Sequence, residues 1–139
     1  EFMGHGQSYL SHRHHENEHS HRCNTGMKLI THRRPAQPKI GFYNEWDFNA
    51  LALEKGEFAS YTFAGDQSDC EWLISIRGLE KGELVISENE DVIKKIEFVE
   101  DHEYHTISFS GVKLAQAGDR RLKIEVLCGE VAVDWVKLT

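Results

Sequence analysis

The sequence predicts an all-β domain built as an antiparallel β-sandwich, and two observations carry that prediction. From Ile40 onward, short apolar runs alternate with clusters of Gly, Asp, Asn and Lys. Within most of these runs apolar and polar residues alternate with a period of two, which is typical of a strand buried on one face. No window beyond residue 56 carries a sustained helical stripe of apolar residues, so we expect little helix there. Short strands separated by turn signals at this spacing are typical of a sandwich.

The predicted strands follow one another closely along the chain. In order they span residues 57–64, 71–78, 83–87, 92–98, 103–109, 121–127 and 131–138. The second run shows the alternation clearly, because Trp72, Ile74 and Ile76 occupy every other position. The connections 79–82 and 88–91 are short, as hairpin loops are. We therefore expect consecutive strands to run antiparallel.

The chain ends on an apolar stretch, "GEVAVDWVKLT" at residues 129 to 139, that we expect to be the closing strand. A period of two places Val131, Val133 and Trp135 on one face of it. Burying each of these side chains is worth about 1.5–3 kcal/mol, which is enough to hold a chain end in a sheet. We expect Trp72 and Trp135 to pack in the core.

Composition divides the chain near residue 36. Residues 1–36 hold seven of the nine histidines and few large apolar residues, and their first three look like a cloning scar. We predict a disordered His-rich tail and linker there, followed by the sandwich over residues 37–139. The tail is dense enough in imidazoles to capture a transition metal, but no ligand pair is fixed on a predicted element, so no metal site is predicted. The residues concerned are His12, His14, His15, His19, His21 and Cys23.

Length, charge and cysteine positions limit the possible functions. A chain of 139 residues suits one domain, and a net charge of -7 argues against a nucleic-acid partner. No run of about 18 apolar residues is present, so we expect no membrane partner. No signal peptide is visible at the histidine-rich start. Cys70 and Cys128 fall at opposite ends of the predicted sandwich, roughly 20 Å apart, so we expect free thiols.

Four segments between residues 56 and 138 form a recognisable pattern. They read "GEFASYTF", "WLISIRG", "EYHTISFSGVKLAQAGDRRLKIEV" and "GEVAVDWVKL". The pattern resembles that of carbohydrate-binding modules of family 6 and of the related families 35 and 36. The matching positions are Gly56, Ser60, Tyr61, Arg77, Val112, Leu114, Gly118, Leu122, Ile124, Asp134 and Trp135. The resemblance implies a jelly-roll-like sandwich that binds polysaccharide, a neighbouring catalytic glycosidase domain and an extracellular location.

The chain departs from this family pattern at three places. The family's opening strand with its calcium-binding glutamates has no clear counterpart, since "IGFYNEWDFNALAL" (40–53) stands there. We therefore expect no cofactor, and a structural calcium has no support in the sequence. Where the family commonly carries a sugar-stacking tryptophan, this chain has Glu100, Asp101 and His102. Ala132 occupies the place of an asparagine that usually hydrogen-bonds the ligand.

The loops at one end of the predicted sandwich carry the candidate sugar contacts. With antiparallel strands, that end collects residues 43–56, 78–82, 99–103 and 128–130. The opposite end collects residues 65–70, 88–91 and 111–120. Aromatic rings desolvate the C–H faces of pyranoses while nearby polar groups take the hydroxyls. The predicted carbohydrate-binding residues are Tyr43, Trp46, Asp47, His102, Tyr104 and Glu130. Packing at the sandwich edge is the alternative interpretation of Trp46 and Phe48, and a structural core position is the alternative for Tyr104.

Three functions are compatible with the sequence. The first is a non-catalytic carbohydrate-binding module of a glycoside hydrolase. The second is an accessory structural sandwich with no sugar affinity of its own, and the third is a fragment of a protein whose hydrolase activity resides upstream. No catalytic residues are predicted, because the acids of "EWD" (45–47) lie two residues apart on one loop. Glycosidases need an opposed pair of carboxylates.

Overall fold

The computed structural model describes residues 9–10, 28–32, 48–64, 69–114 and 118–139. Ten strands are formed there. Their bounds are β1 Tyr9–Leu10, β2 Lys28–His32, β3 Phe48–Glu54, β4 Phe58–Phe63, β5 Glu71–Gly78, β6 Gly82–Glu88, β7 Asp91–Phe98, β8 His105–Ser110, β9 Arg120–Cys128 and β10 Glu130–Leu138. Within these ranges no helix is long and apolar enough to cross a membrane.

The strands form two five-stranded sheets, and every pairing is antiparallel. Sheet A has the order β1-β4-β9-β6-β7, and sheet B has the order β2-β3-β10-β5-β8. The inner faces of both sheets supply one hydrophobic core. The predicted antiparallel β-sandwich is thereby confirmed.

The seven predicted strands correspond to β4 to β10, and their ends differ from the observed ends by at most two residues. Three further strands precede them. Strand β3 lies largely in segment 40–53, to which the sequence assigned no strand, and it pairs with β2 and β10. Strands β1 and β2 fall within residues 1–36, where the sequence predicts a disordered tail, yet the structure pairs them with β4 and β3. The division of the chain at residue 36 stays a prediction.

The core is built from the inward positions that the period-two pattern marks. Its largest member is Trp72, which is fully buried, as predicted, and packs edge-on against Phe63 with ring centroids 5.0 Å apart. The core also contains completely buried aliphatic side chains from both sheets: Leu53, Ile74, Leu84, Ile86, Leu122, Ile124, Val126 and Val131. Each such side chain contributes about 1.5–3 kcal/mol by leaving water.

Trp135 does not lie where the alternation places it. Val131 and Val133 are buried in the core, but the register of β10 against β5 shifts between Val133 and Trp135. Trp135 consequently pairs with Ser75 on the outer face of sheet B, and Val136 takes the inward place. A β-bulge adds one residue to a strand and reverses the facing of those that follow. The prediction that Trp135 packs in the core beside Val133 is therefore wrong.

The two cysteines of the described ranges are free thiols, as the sequence predicts. The carbonyl of Cys70 accepts the N–H of Gly111 at one end of the sandwich. Cys128 pairs with Glu83 at the other end. Cys23 lies outside the described residues, as do the five histidines that accompany it in the tail.

A buried ion pair closes the end of the sandwich that contains the β6–β7 turn, which we call the network end. Glu88 and Arg120 have side-chain exposures of 0% and 1%, and Arg120 Nη1 lies 2.5 Å from Glu88 Oε1. Glu88 Oε2 also accepts Trp72 Nε1–H at 3.0 Å and the Val112 N–H at 2.6 Å. Arg120 Nη1 donates in addition to the Val112 carbonyl at 2.8 Å. Such satisfaction is what permits two charges to remain buried.

Replacing Glu88 by glutamine is expected to destabilise the fold by about 3–5 kcal/mol. A carboxylate only accepts hydrogen bonds, whereas an amide presents one acceptor and one donor group. Glu88→Gln thus points an N–H₂ group at donors that need an acceptor. The free energy of unfolding from urea denaturation measures the loss.

Lys95→Gln is the matched control, since Lys95 forms an exposed ion pair with Glu83 at 3.8 Å. Its removal is expected to change stability by about 0.5 kcal/mol or less. Equal effects of the two variants would contradict a structural role for the buried pair.

Candidate functional site

The end of the sandwich opposite the network end, here called the loop end, brings together connections that are distant in sequence. The Asp101 N–H donates to the Gly78 carbonyl at 2.9 Å. The N–H groups of Leu79 and Glu80 both donate to the Glu130 carbonyl, at 2.8 and 3.0 Å. The turn before β4 joins them, because Gly56 N–H donates to the carbonyl of Val126. For the described residues, the predicted grouping of loops at this end is confirmed.

Glycines make this close packing of loops possible. A Cβ atom at Gly78 would collide with the carbonyl oxygen of Val99, and one at Gly82 with that of Cys128. Gly129 has a φ of 77°, a conformation that residues with a side chain adopt only with strain. The backbones of three connections therefore touch directly, and the loop end has a defined shape.

Three of the predicted sugar-binding residues, Tyr43, Trp46 and Asp47, lie outside the described residues. The other three lie at the loop end but differ in how far their side chains are exposed. His102 is exposed in the loop between β7 and β8. Tyr104 is half-buried at the end of that loop, and Glu130 is half-buried at the start of β10.

Tyr104 and Glu130 lie on one surface, the outer face of sheet B. Ile76 pairs with His105, which places Tyr104 beside Arg77 on the outward side of β5. Arg77 in turn pairs with Ala132 on β10, two positions beyond Glu130. Neighbouring strands are about 4.8 Å apart, so Tyr104 and Glu130 lie on the order of 12 Å from each other.

Trp135 and Arg77 complete this surface, and the sequence assigned neither to the site. The pairing of Trp135 with Ser75 puts the indole one row away from the Ala132–Arg77–Tyr104 row. Trp135 is half-buried, whereas Ser75 and Ala132 are buried although they face away from the core. Two aromatic side chains thus lie on one face with small residues near them. The bulge in β10 is what puts Trp135 there, and periodicity cannot reveal it.

The Arg77 guanidinium lies over the Tyr104 ring, with its central carbon 5.2 Å from the ring centroid. Such a cation–π contact holds an aromatic ring in place. Burial raises the pKa of the Tyr104 phenol above its ordinary value of 10.0, Arg77 opposes this increase, and Asp134 adds to it. The Arg77 Nε atom is buried and has no hydrogen-bond partner among the described residues.

A cleft of about 770 Å³ opens beside this surface, between the edge strands β7 and β8. Its apolar lining includes Ile76, Ile96 and Phe98. Its mouth carries a close pair, Asp101 and His105, with Oδ2 and Nε2 2.7 Å apart. We call it the edge cleft.

The outer face of sheet A presents another aromatic residue, Phe58. The Lys123 ammonium lies 4.4 Å from the centroid of its ring and 2.5 Å from the Glu125 carboxylate. Ser60, two residues beyond Phe58 in β4, is buried, and within the described part of the chain its hydroxyl has no hydrogen-bond partner. An aromatic ring with a neighbouring ion pair is also a chemically plausible sugar contact.

The described ranges contain no group of three His, Cys, Asp or Glu side chains arranged to hold a metal ion. The five histidines that accompany Cys23 in the tail lie outside those ranges, and the expectation that they form no defined metal site stays a prediction.

Comparison with solved structures identifies the fold. One similar structure is a carbohydrate-binding module of Cellvibrio mixtus lichenase 5A in complex with cellotriose; it has a TM-score of 0.59 and 15% identity, over 83% of this chain and 87% of that one. Another is the module CsCBM6-3 from Clostridium stercorarium in complex with cellobiose, with a TM-score of 0.56 and 14% identity over 81% of both chains. The chain has the fold of the family 6 carbohydrate-binding modules.

The same fold also occurs as a small part of a larger enzyme. A family GH115 4-O-methyl-α-glucuronidase with specificity for decorated arabinogalactans matches 65% of this chain with a TM-score of 0.51 and 15% identity. This chain spans only 14% of that enzyme. No protein-family model matches the sequence, and no curated protein matches it either. At such identities the likeness concerns the fold, and function depends on the site.

Gly78→Ala is expected to destabilise the protein by about 1–3 kcal/mol, because the added methyl group meets a backbone oxygen that cannot move aside. Gly118→Ala is the matched control, since no atom of the described ranges lies within 4 Å of its Cβ position. Thermal unfolding of the two variants measures the difference. Equal melting temperatures would contradict the close approach of the β7–β8 loop to Gly78.

Tyr104 is expected to titrate above pH 10.0, since the raised pKa favours its neutral form in the folded state. The corresponding stability is present below pH 10.0 and is lost as the pH rises through the folded pKa. Absorbance at alkaline pH, compared with that of Tyr104→Phe, isolates this transition. Arg77→Met is expected to raise the pKa of Tyr104 further, because the substitution removes a positive charge that favours the phenolate. An unchanged pKa in this variant would contradict the Arg77–Tyr104 contact.

Proposed function

We propose that the protein is a non-catalytic carbohydrate-binding module of a glycoside hydrolase that binds polysaccharide at its loop end. The observation that supports this most directly is the placement of Tyr104 and Trp135 on the outer face of sheet B, beside Arg77. The predicted contacts are Tyr43, Trp46, Asp47, His102, Tyr104 and Glu130, and the structure adds Trp135 and Arg77 to them as candidates.

The chemistry of the described part of this surface suits a sugar. An aromatic ring offers a flat apolar face to the C–H groups of a pyranose, while Arg77, Glu130 and Asp134 offer donors and acceptors to its hydroxyls. Tyr104 is half-buried and lies beneath a guanidinium, so little side-chain freedom remains to be lost on binding. Preorganisation of this kind favours affinity.

A role beside a catalytic domain is supported by the arrangement in the GH115 enzyme, of which a fold like this one is a small part. A module joined to a hydrolase raises the effective concentration of the enzyme at its polysaccharide without performing chemistry. Such a partnership implies an extracellular protein.

The alternative is an accessory sandwich that stabilises a neighbouring domain and has no sugar affinity. Ala132 favours it, because this residue is fully buried and apolar at a position where relatives carry an asparagine that contacts sugar. The outer face of sheet A, around Phe58, is an alternative location for binding.

Affinity electrophoresis against xylan, β-glucan and galactan tests the proposal. We expect at least one polysaccharide to retard the wild type. Tyr104→Ala and Trp135→Ala are each expected to weaken binding roughly tenfold, or about 1.4 kcal/mol, as loss of an aromatic contact at the centre of an interface does. Trp46→Ala extends the test to the predicted loop aromatic.

Phe58→Ala is the matched control, since it removes an aromatic ring from the opposite sheet. Loss of binding in Phe58→Ala alone would move the site to sheet A. If no polysaccharide retards the wild type, the accessory role replaces the binding role. Hydrolysis by the isolated chain would contradict its non-catalytic nature.

A further inference from the structure

The side chain of Asp101, in the loop that carries His102 and Tyr104, makes three hydrogen bonds. Its Oδ1 accepts the N–H groups of His102 at 2.6 Å and Glu103 at 3.1 Å. Its Oδ2 accepts from His105 Nε2 at 2.7 Å. Its own N–H donates to the Gly78 carbonyl at 2.9 Å. One residue therefore ties the loop to itself, to β8 and to the end of β5.

Residues 99–103 have few other stabilising side-chain contacts. Strand β7 ends at Phe98 in sheet A and β8 begins at His105 in sheet B, so residues 99–104 cross from one sheet to the other. Val99 is 62% exposed, and the side chains of Glu100, His102 and Glu103 are exposed as well. Residues 99–103 contain no buried apolar side chain. The hydrogen bonds of Asp101 therefore stabilise this segment.

In the Asp101–His105 contact, the shared hydrogen is carried by the His105 ring. A carboxylate oxygen only accepts, so His105 Nε2 carries a hydrogen in either charge state of the ring. The hydrogen bond from His105, with those from Glu103 and His102, holds the pKa of Asp101 below its ordinary value of 3.8. The carboxylate is thus kept in the form that accepts all three bonds.

We propose that Asp101 is a positioning residue for the loop-end surface: its carboxylate, held by His105, fixes residues 99–104 and thereby the placement of Tyr104. This rests on the proposed function, because Tyr104 is one of the expected sugar contacts. Asp101 acts through the loop, since its side chain is turned toward the edge cleft and the outer face of sheet B carries Tyr104.

Several other charged or titratable groups face the Asp101–His105 pair and belong in any account of its pH dependence. They come from four elements around the edge cleft: Lys81 before β6, Glu83 on β6, Glu97 on β7 and Cys128 at the end of β9. Because the folded pKa of Asp101 is lowered, its contribution is present above pH 3.8 and is lost as the pH falls through the folded pKa. We expect sugar affinity to follow the same course.

The test compares three variants with the wild type, using the polysaccharide that retards the wild type best. Asp101→Ala is expected to weaken binding roughly fivefold at pH 7, which is the cost of ordering about one released side chain on binding. Asp101→Asn keeps an oxygen for the His102 and Glu103 amides but, like the protonated carboxyl group, lacks the charge that accepts from His105, so it is expected to bind with the weaker affinity that the wild type shows below pH 3.8. Glu103→Gln removes one negative charge from the same loop and is expected to bind like the wild type.

The pH profile separates positioning from a general loss of stability. Below pH 3.8 the wild type is expected to lose affinity in a step that Asp101→Asn lacks, while both remain folded by circular dichroism. Wild-type affinity in Asp101→Ala, or the same step in Asp101→Asn, would overturn the proposal even where sugar binding itself is established.

A readout without sugar keeps the two proposals distinguishable. In NMR spectra the amide resonances of His102 and Glu103 and the ring resonances of Tyr104 are expected to shift together as Asp101 titrates. The Tyr104 ring resonances are also expected to differ between Asp101→Ala and the wild type. If no polysaccharide binds but these shifts occur, the proposed function fails and the positioning role of Asp101 is supported. If the Tyr104 ring is unchanged in Asp101→Ala, the positioning role is wrong whatever the protein binds.

Discussion

The buried Glu88–Arg120 pair is the constraint on which the rest of the structure depends. Glu88 ends β6 and Arg120 begins β9, both in sheet A, while Trp72 of β5 donates to the same carboxylate from sheet B. Two charges out of water are tolerated only when their hydrogen-bonding capacity is filled, and a slip of any of these strands would leave one of them unpaired. The pair therefore fixes both the register within sheet A and the docking of the sheets.

The two ends of the sandwich are stabilised by different interactions. The network end is closed by buried charge and by the indole of Trp72. At the loop end, backbones touch at glycines such as Gly78, and Asp101 supports an otherwise exposed loop. The loops at this end bury few side chains. The rings of Tyr104 and Trp135 are therefore only half-buried on the outer face of sheet B. The proposed sugar surface follows from that arrangement.

Particular residues show which features of the fold the sequence predicts and which it does not. Strand β3 was missed because "FNALALE" is rich in alanine, which is depleted in strands, and only pairing on both sides makes it one. Trp135 was assigned to the core because a period-two count assumes an unbroken ladder, and the shift before it reverses its face. The loop grouping was correct, since chain direction alone determines which connections share an end. The roles of Arg77 and Asp101 depend on neighbours that are distant in sequence or on hydrogen bonds, which no pattern shows.

The sequence by itself determined the antiparallel sandwich, seven of its strands and the end at which each described loop lies. These follow from alternating polarity and turn residues, which are local properties of a chain. Only the tertiary structure decided which face Trp135 occupies, which carboxylate partners Arg120, and that Tyr104 lies beneath Arg77. Those features arise from strand register and from the satisfaction of buried polar groups. Both are set by contacts between segments far apart in the sequence, so they exist only once the two sheets have packed together.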